Sequence, residues 1–162
     1  MEKDYVEDCV FGARLLINLE ADVGELFDNI RCARALLSEF HDMSITIRAN
    51  VMEYMHKNPE YLIDGEVGDR KGIYREKGIL EAFRRAVEQG CSVVVLDLDM
   101  NMSERPLKPA QIAKYLVWCP DFKDESIHTC YVVYHGRAVS IQASVSDRQG
   151  IALILEKLKA EQ

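Results

Sequence analysis

The chain has 162 residues, 48% hydrophobic and 29% charged, which suits one domain with its own core and excludes a disordered chain. Its net charge of −7 excludes a broadly basic nucleic-acid-binding surface, but residues 1–30 hold eight acids against Lys3 and Arg14, so the rest sits near −1. Five cysteines, odd in number and without a CxxC pair, argue against a disulfide framework or a structural zinc site and are expected reduced and mostly buried, as in a cytoplasmic chain.

Residues 1–20 read as an acidic N-terminal segment with the first strand, Phe11 to Leu19, whose Leu15, Ile17 and Leu19 share one face. The acidic start has no leader-peptide character, and no apolar run reaches membrane-spanning length. Asp22 is an expected N-cap, with Glu25 three residues on as its capping-box partner. The helix that follows is expected to bury Val23, Leu26, Phe27, Ile30, Ala33, Leu37 and Phe40. Ile45 and Ile47 alternate with Thr46 and Arg48 as a half-buried strand.

Asn58-Pro59 marks a break, because the residue before proline avoids helix. Asp64-Gly65 is a two-residue hairpin signal between Tyr61–Ile63 and a returning strand from Glu66 to Lys71. A helix spans Gly78 to Gly90, with Gly90 as its stop. Ser92 to Leu98 is the most apolar strand and the expected sheet centre. Pro109 opens a third helix, which Pro120 ends. His135-Gly136 joins two strands of a closing hairpin, and a C-terminal helix covers Asp147 to Lys159. The fold class is α/β (α+β): one domain over residues 1–162, a mixed central sheet flanked by helices, in the order β-α-β-β-β-α-β-α-β-β-α.

Chemistry concentrates in Pro59-Glu60 and Asp69-Arg70-Lys71. On paired strands Glu60 and Asp69 are neighbours, and Asp69 and Lys71, two apart, project from one face. Two carboxylates there are candidate ligands of a divalent metal such as Mg²⁺, which activates water and neutralises charge on a phosphodiester. Lys71 would stabilise the transition state. The same residues equally make a solvated hairpin face with an ion pair. Arg70, Arg75, Lys77, Arg84 and Arg85 form a candidate phosphate-gripping cluster, yet Glu66, Glu76, Glu81 and Glu88 interleave as on an ordinary charged surface. His56 is a candidate acid/base for a metal-free mechanism, or simply an exposed loop residue. Asp97 and Asp99, ending the central strand, stand where functional groups gather, or cap the loop.

Asn58-Pro59-Glu60-Tyr61-Leu62-Ile63-Asp64-Gly65-Glu66, followed by Asp69-Arg70-Lys71, resembles the NPDYLIDG…D/ExK signature of toxin nuclease domains. These are the C-terminal tRNase domains of contact-dependent growth-inhibition proteins of the CdiA type, with relatives on bacterial mobile elements; the pattern also resembles the broader PD-(D/E)xK nucleases. The resemblance covers residues 45–142 or so, with Glu60 in place of the usual Asp and Gly-Ile-Tyr after Lys71. It implies a toxin-like, metal-assisted endonuclease acting on tRNA-like RNA, with Glu60 and Asp69 as metal ligands, Lys71 catalytic, and a further carboxylate from the first helix, Glu25 or Glu39. The alternatives are a non-enzymatic interaction or immunity-type protein, whose acidic segment suits a basic partner, and a decayed nuclease domain that still binds a partner.

Overall fold

The structure, a computed structural model, describes residues 4–53, 56–100, 106–145 and 147–159, with the side chains of residues 52, 53, 56 and 57 left aside. The chain begins with strands β1 (Tyr5–Asp8) and β2 (Gly12–Asn18), then helix α1 (Val23–Glu39) and strand β3 (Ile45–Ile47). A short hairpin, β4 (Met52–Glu53) and β5 (His56–Lys57), precedes strands β6 (Tyr61–Ile63) and β7 (Glu66–Gly72). Helix α2 (Gly78–Glu88), strand β8 (Val93–Asp97) and helices α3 (Pro109–Trp118) and α4 (Pro120–Lys123) follow. Strands β9 (Thr129–Tyr134) and β10 (Arg137–Gln142) and helix α5 (Arg148–Glu156) close the fold, with a 3-10 turn at Lys157–Lys159.

Eight strands form one mixed sheet in the order β1-β2-β3-β6-β7-β8-β9-β10. The pairs β2–β3, β7–β8 and β8–β9 are parallel, and β3–β6–β7 takes two antiparallel steps, so β2, β3, β7, β8 and β9 all run one way. This is the α/β class and mixed sheet expected. The expected order holds with three additions: the edge strand β1, the β4–β5 hairpin and the single turn α4. Pro120 ends α3 as expected, but it also sits at the first position of α4, where its missing N–H costs nothing.

Both faces of the sheet are covered. On one, α1 packs Leu36 and Leu37 against Leu15, Ile45, Ile47, Val95 and Val133. On the other, α2, α3 and α5 bring Phe83, Ile112, Leu116 and Leu155 onto Val94, Leu96, Cys130 and Val132. Strand β8 is therefore buried at every position, as its unbroken apolar run requires. Four cysteines are buried, Cys9 is exposed, and all five are free thiols.

The buried stripe of α1 differs from the expected one. Asn29, Cys32, Ala33, Leu36 and Leu37 face the sheet, while Val23 and Phe27 are 84% and 77% exposed. At about 100° per residue Phe27 stands roughly 120° from Ala33, outside the width of one apolar face. Asp22 does cap α1, accepting from the Gly24 amide at 3.0 Å. Glu25 does not return to the cap; its carboxylate turns to Arg70 instead. Asp8 holds Arg34 of α1 at 2.6 Å and so ties the edge strand to the helix.

Candidate functional site

Most residues of the Asn58–Gly65 stretch have a local task. The Asn58 side chain accepts from the Val51 amide at 2.6 Å and donates to the Ala49 carbonyl at 3.0 Å, closing the base of the β4–β5 excursion. Pro59 then releases the chain into β6, whose backbone continues onto β3 through Arg48 N and Glu60 O at 2.8 Å. Tyr61 is fully buried and its hydroxyl donates to the Asn29 carbonyl at 2.6 Å, pinning α1 to the sheet. Asp64 and Gly65 take φ of 51° and 83°, the two positive values of a primed turn, so the expected hairpin forms.

Strand β6 pairs with β7 only from Glu66 to Gly68, whereas β7 continues to Gly72 along β8. Beyond the short neighbour a cavity of about 810 Å³ opens, lined by Glu25 and Asp28 of α1, Glu60, Asp69 to Gly72, Tyr74, then Gly78, Glu81, Ala82, Arg85 and Glu88 of α2, Gln89 and Met100. It lies at the carboxyl ends of the parallel strands β7 and β8, the usual place for ligands in open α/β sheets. Glu60, Asp69 and Lys71 therefore share one hollow, as their spacing predicts.

Their contacts are specific. Asp69 is 6% exposed, not the exposed residue its hairpin position suggested. One oxygen accepts from the Glu60 amide at 3.0 Å and the other from Lys71 Nζ at 3.2 Å. Lys71 also donates to Gln89 Oε1 at 2.5 Å. The Glu60 carboxylate accepts from the Asn29 side-chain amide. Of the two helix acids offered by the sequence, Glu25 lines the cavity; Glu39, at the other end of α1, accepts from Arg137 at 2.7 Å.

Behind the cavity wall lies a buried ionic cluster that the sequence did not reveal. Asp97 is fully buried and accepts from Arg31 at 2.6 Å and from Arg70 at 3.0 Å. Arg70, with only 6% of its side chain exposed, also donates to Glu25 at 2.5 Å and to Asn29 Oδ1 at 2.8 Å. Burial opposes the Arg70 charge, but attraction from the Asp97 and Glu25 carboxylates helps to outweigh it, and its pKa is raised. Asp97 takes the capping one of its two readings, accepting from the Asp99 amide at 3.0 Å while it holds the two arginines. Arg84 and Arg85 are exposed and paired with Glu81, and Arg75 and Lys77 are exposed on the approach to α2. His56 lies on β5, and its side chain falls outside those described.

The electrostatics are acidic. Six carboxylates (Glu25, Asp28, Glu60, Asp69, Glu81 and Glu88) face three cations (Arg70, Lys71 and Arg85), leaving a formal −3. Burial, with Asp69 adding to it, pushes the Cys91 thiol up to about 12, so it is no thiolate nucleophile near neutral pH. Among the described residues no three of His, Cys, Asp and Glu cluster as a metal cage. The donors that Glu60 and Asp69 offer to the cavity are carboxylate oxygens, the ligand type that Mg²⁺ takes. Among the described residues no helix is long and apolar enough to cross a membrane.

No family model and no curated protein matches the chain. A chain of the CdiA-CT/CdiI toxin and immunity complex from Burkholderia pseudomallei is similar to it in structure, with a TM-score of 0.50 and 19% identity over 75% of this chain and 89% of that one. At that identity the similarity speaks for the fold alone.

Proposed function

We propose that the chain is a toxin-like endonuclease that cleaves RNA phosphodiester bonds with the help of a divalent cation. One observation carries the reading: Glu25, Glu60, Asp69 and Lys71, from three separate elements, line a single cavity at the carboxyl end of the sheet. A surface with a formal −3 in its hollow repels a phosphodiester, so substrate entry needs a cation held by those carboxylates. Glu60 and Asp69 are the residues that would hold Mg²⁺, which when bound supplies a polarised water and charge neutralisation. Lys71, steered by Asp69 and Gln89, presents its ammonium where negative charge develops on the phosphate. Glu25 offers a third carboxylate to orient the attacking water. Arg85 lines the cavity, and it and the exposed Arg75, Lys77 and Arg84 would contact the RNA backbone. Similarity to a toxin–immunity complex chain supports this reading and a cognate protein partner alike.

The test is incubation with total tRNA and Mg²⁺, with an EDTA control. Wild type is expected to cleave only with Mg²⁺, and Lys71→Ala to lose about 10²–10³-fold. Cleavage that persists in EDTA would move the chemistry to a metal-free mechanism with His56 as the candidate. The acidic excess favours a second reading, an immunity-type protein that docks a basic partner. Absence of cleavage under every metal condition would favour it.

A further inference from the structure

The geometry points to Arg70 as a positioning residue that sets two carboxylates of the cavity at once, with Asp97 as its buried anchor; this rests on the nuclease reading above. Three nitrogens of the Arg70 side chain are spoken for in different directions. One terminal nitrogen is anchored on Asp97 at 3.0 Å, the other donates to Glu25 at 2.5 Å, and Nε donates to Asn29 Oδ1 at 2.8 Å. The last contact has a consequence for Glu60. With its oxygen held by Arg70, the Asn29 side chain must turn its NH₂ the other way, and there it donates to Glu60. Arg70 thus orients Glu25 directly and Glu60 through Asn29. Asp69, on the same strand, is set independently by the Glu60 amide and Lys71.

The planar fork is required for this task. A lysine carries the charge but offers one point of donation and cannot bridge three fixed acceptors. Outer residues that orient metal-binding carboxylates typically change metal affinity 10–100-fold when altered, without touching the ion. Arg31 supplies the matching control. It shares Asp97 with Arg70, at 2.6 Å, but its other acceptors are Asp28 and Asp99, neither of which orients Glu25 or Glu60.

The experiment uses the full chain as wild type, Arg70→Lys and Arg31→Lys. Two readouts are taken against Mg²⁺ concentration: the rise in Tm without RNA, and tRNA cleavage. Arg70→Lys is expected to shift the Mg²⁺ midpoint of both readouts upward about 10–100-fold. Arg31→Lys is expected to leave both midpoints where wild type has them, whatever it costs in Tm at zero Mg²⁺. Should Arg70→Lys fail to fold, Asn29→Ala cuts only the branch to Glu60 and is expected to shift the midpoint in the same direction. An unchanged midpoint in Arg70→Lys, or an equal shift in Arg31→Lys, overturns the positioning role while the nuclease reading stands. A wild type with neither a Mg²⁺-dependent Tm nor cleavage overturns both.

Discussion

The two ends of the central sheet carry similar side chains and use them differently. At the carboxyl end of β7 and β8, Asp97, Arg70, Arg31, Asp69 and Lys71 interlock, with Asp97 fully buried and Asp69 6% exposed. At the opposite end Glu66 accepts from Ser92 at 2.5 Å and meets His128 at 3.1 Å, and about half of each of Glu66 and His128 stays in water. At both ends a carboxylate meets side-chain donors from neighbouring elements. Burial decides what the carboxylate is worth: desolvated, it must be matched or the fold suffers, whereas in water it can lose its partner at little cost.

The largest effect is expected from breaking the buried end. Asp97→Ala removes the acceptor shared by two arginines and leaves Arg70 charged inside the protein. A loss of about 3–5 kcal/mol is expected from urea denaturation, the range for removing one partner of a buried pair. A loss below about 1 kcal/mol would mean that water reaches the cluster and that the two ends do not differ as described.

A smaller change sharpens the functional half of the contrast. Asp69→Asn keeps an oxygen to accept from the Glu60 amide, so the cost in stability is expected to be about 1 kcal/mol. It removes one of two expected Mg²⁺ ligands, so both cleavage and Mg²⁺-dependent stabilisation should disappear. Glu66→Gln, on the same strand but at the other end, should leave both intact. If the two variants behave alike, the cavity end is not the site.

What could be read from the sequence divides along the same line. The hairpin, the caps and β8 were legible because their signals are local: Asp64-Gly65 and His135-Gly136 both take the paired positive φ that a primed turn needs. The approach of Glu60, Asp69 and Lys71 followed from that hairpin by strand alternation. Strand β1 was not legible, because Tyr5–Asp8 has no apolar alternation and is held by pairing with β2 and by Asp8 on Arg34. Nor was the role of Arg70, which needs α1, β7 and the end of β8 to meet, whereas in sequence it reads as one more member of a basic cluster. Glu25 was misread as a cap residue because the capping-box spacing and the path to Arg70 begin at the same position. Phe27 was misplaced because a wide apolar stripe can be drawn through α1 on paper; Phe27→Ala is expected to change stability by no more than about 0.5 kcal/mol.

The smallest effect lies at the exposed end and depends on pH in a defined sense. Hydrogen bonds from Ser92 first, and then from His128, hold the Glu66 pKa below its ordinary value of 4.5. A carboxylate whose pKa is lowered by folding adds stability that is fully present above its unfolded value. That stability is lost as pH falls through the lower folded value. The contribution of Glu66 should therefore be full well above pH 4.5, the ordinary value, and fade below it as pH falls through the lower folded value. Because 49% of the side chain is exposed, screening reduces the gain to about 0.5 kcal/mol or less, and it should fade further in 1 M salt. Urea denaturation of wild type and Glu66→Gln at pH 7 and at pH 3.5 measures the difference directly. The gap between the two proteins should narrow on acidification; a gap that widened, or one of several kcal/mol at pH 7, would show that this end is as desolvated as the other.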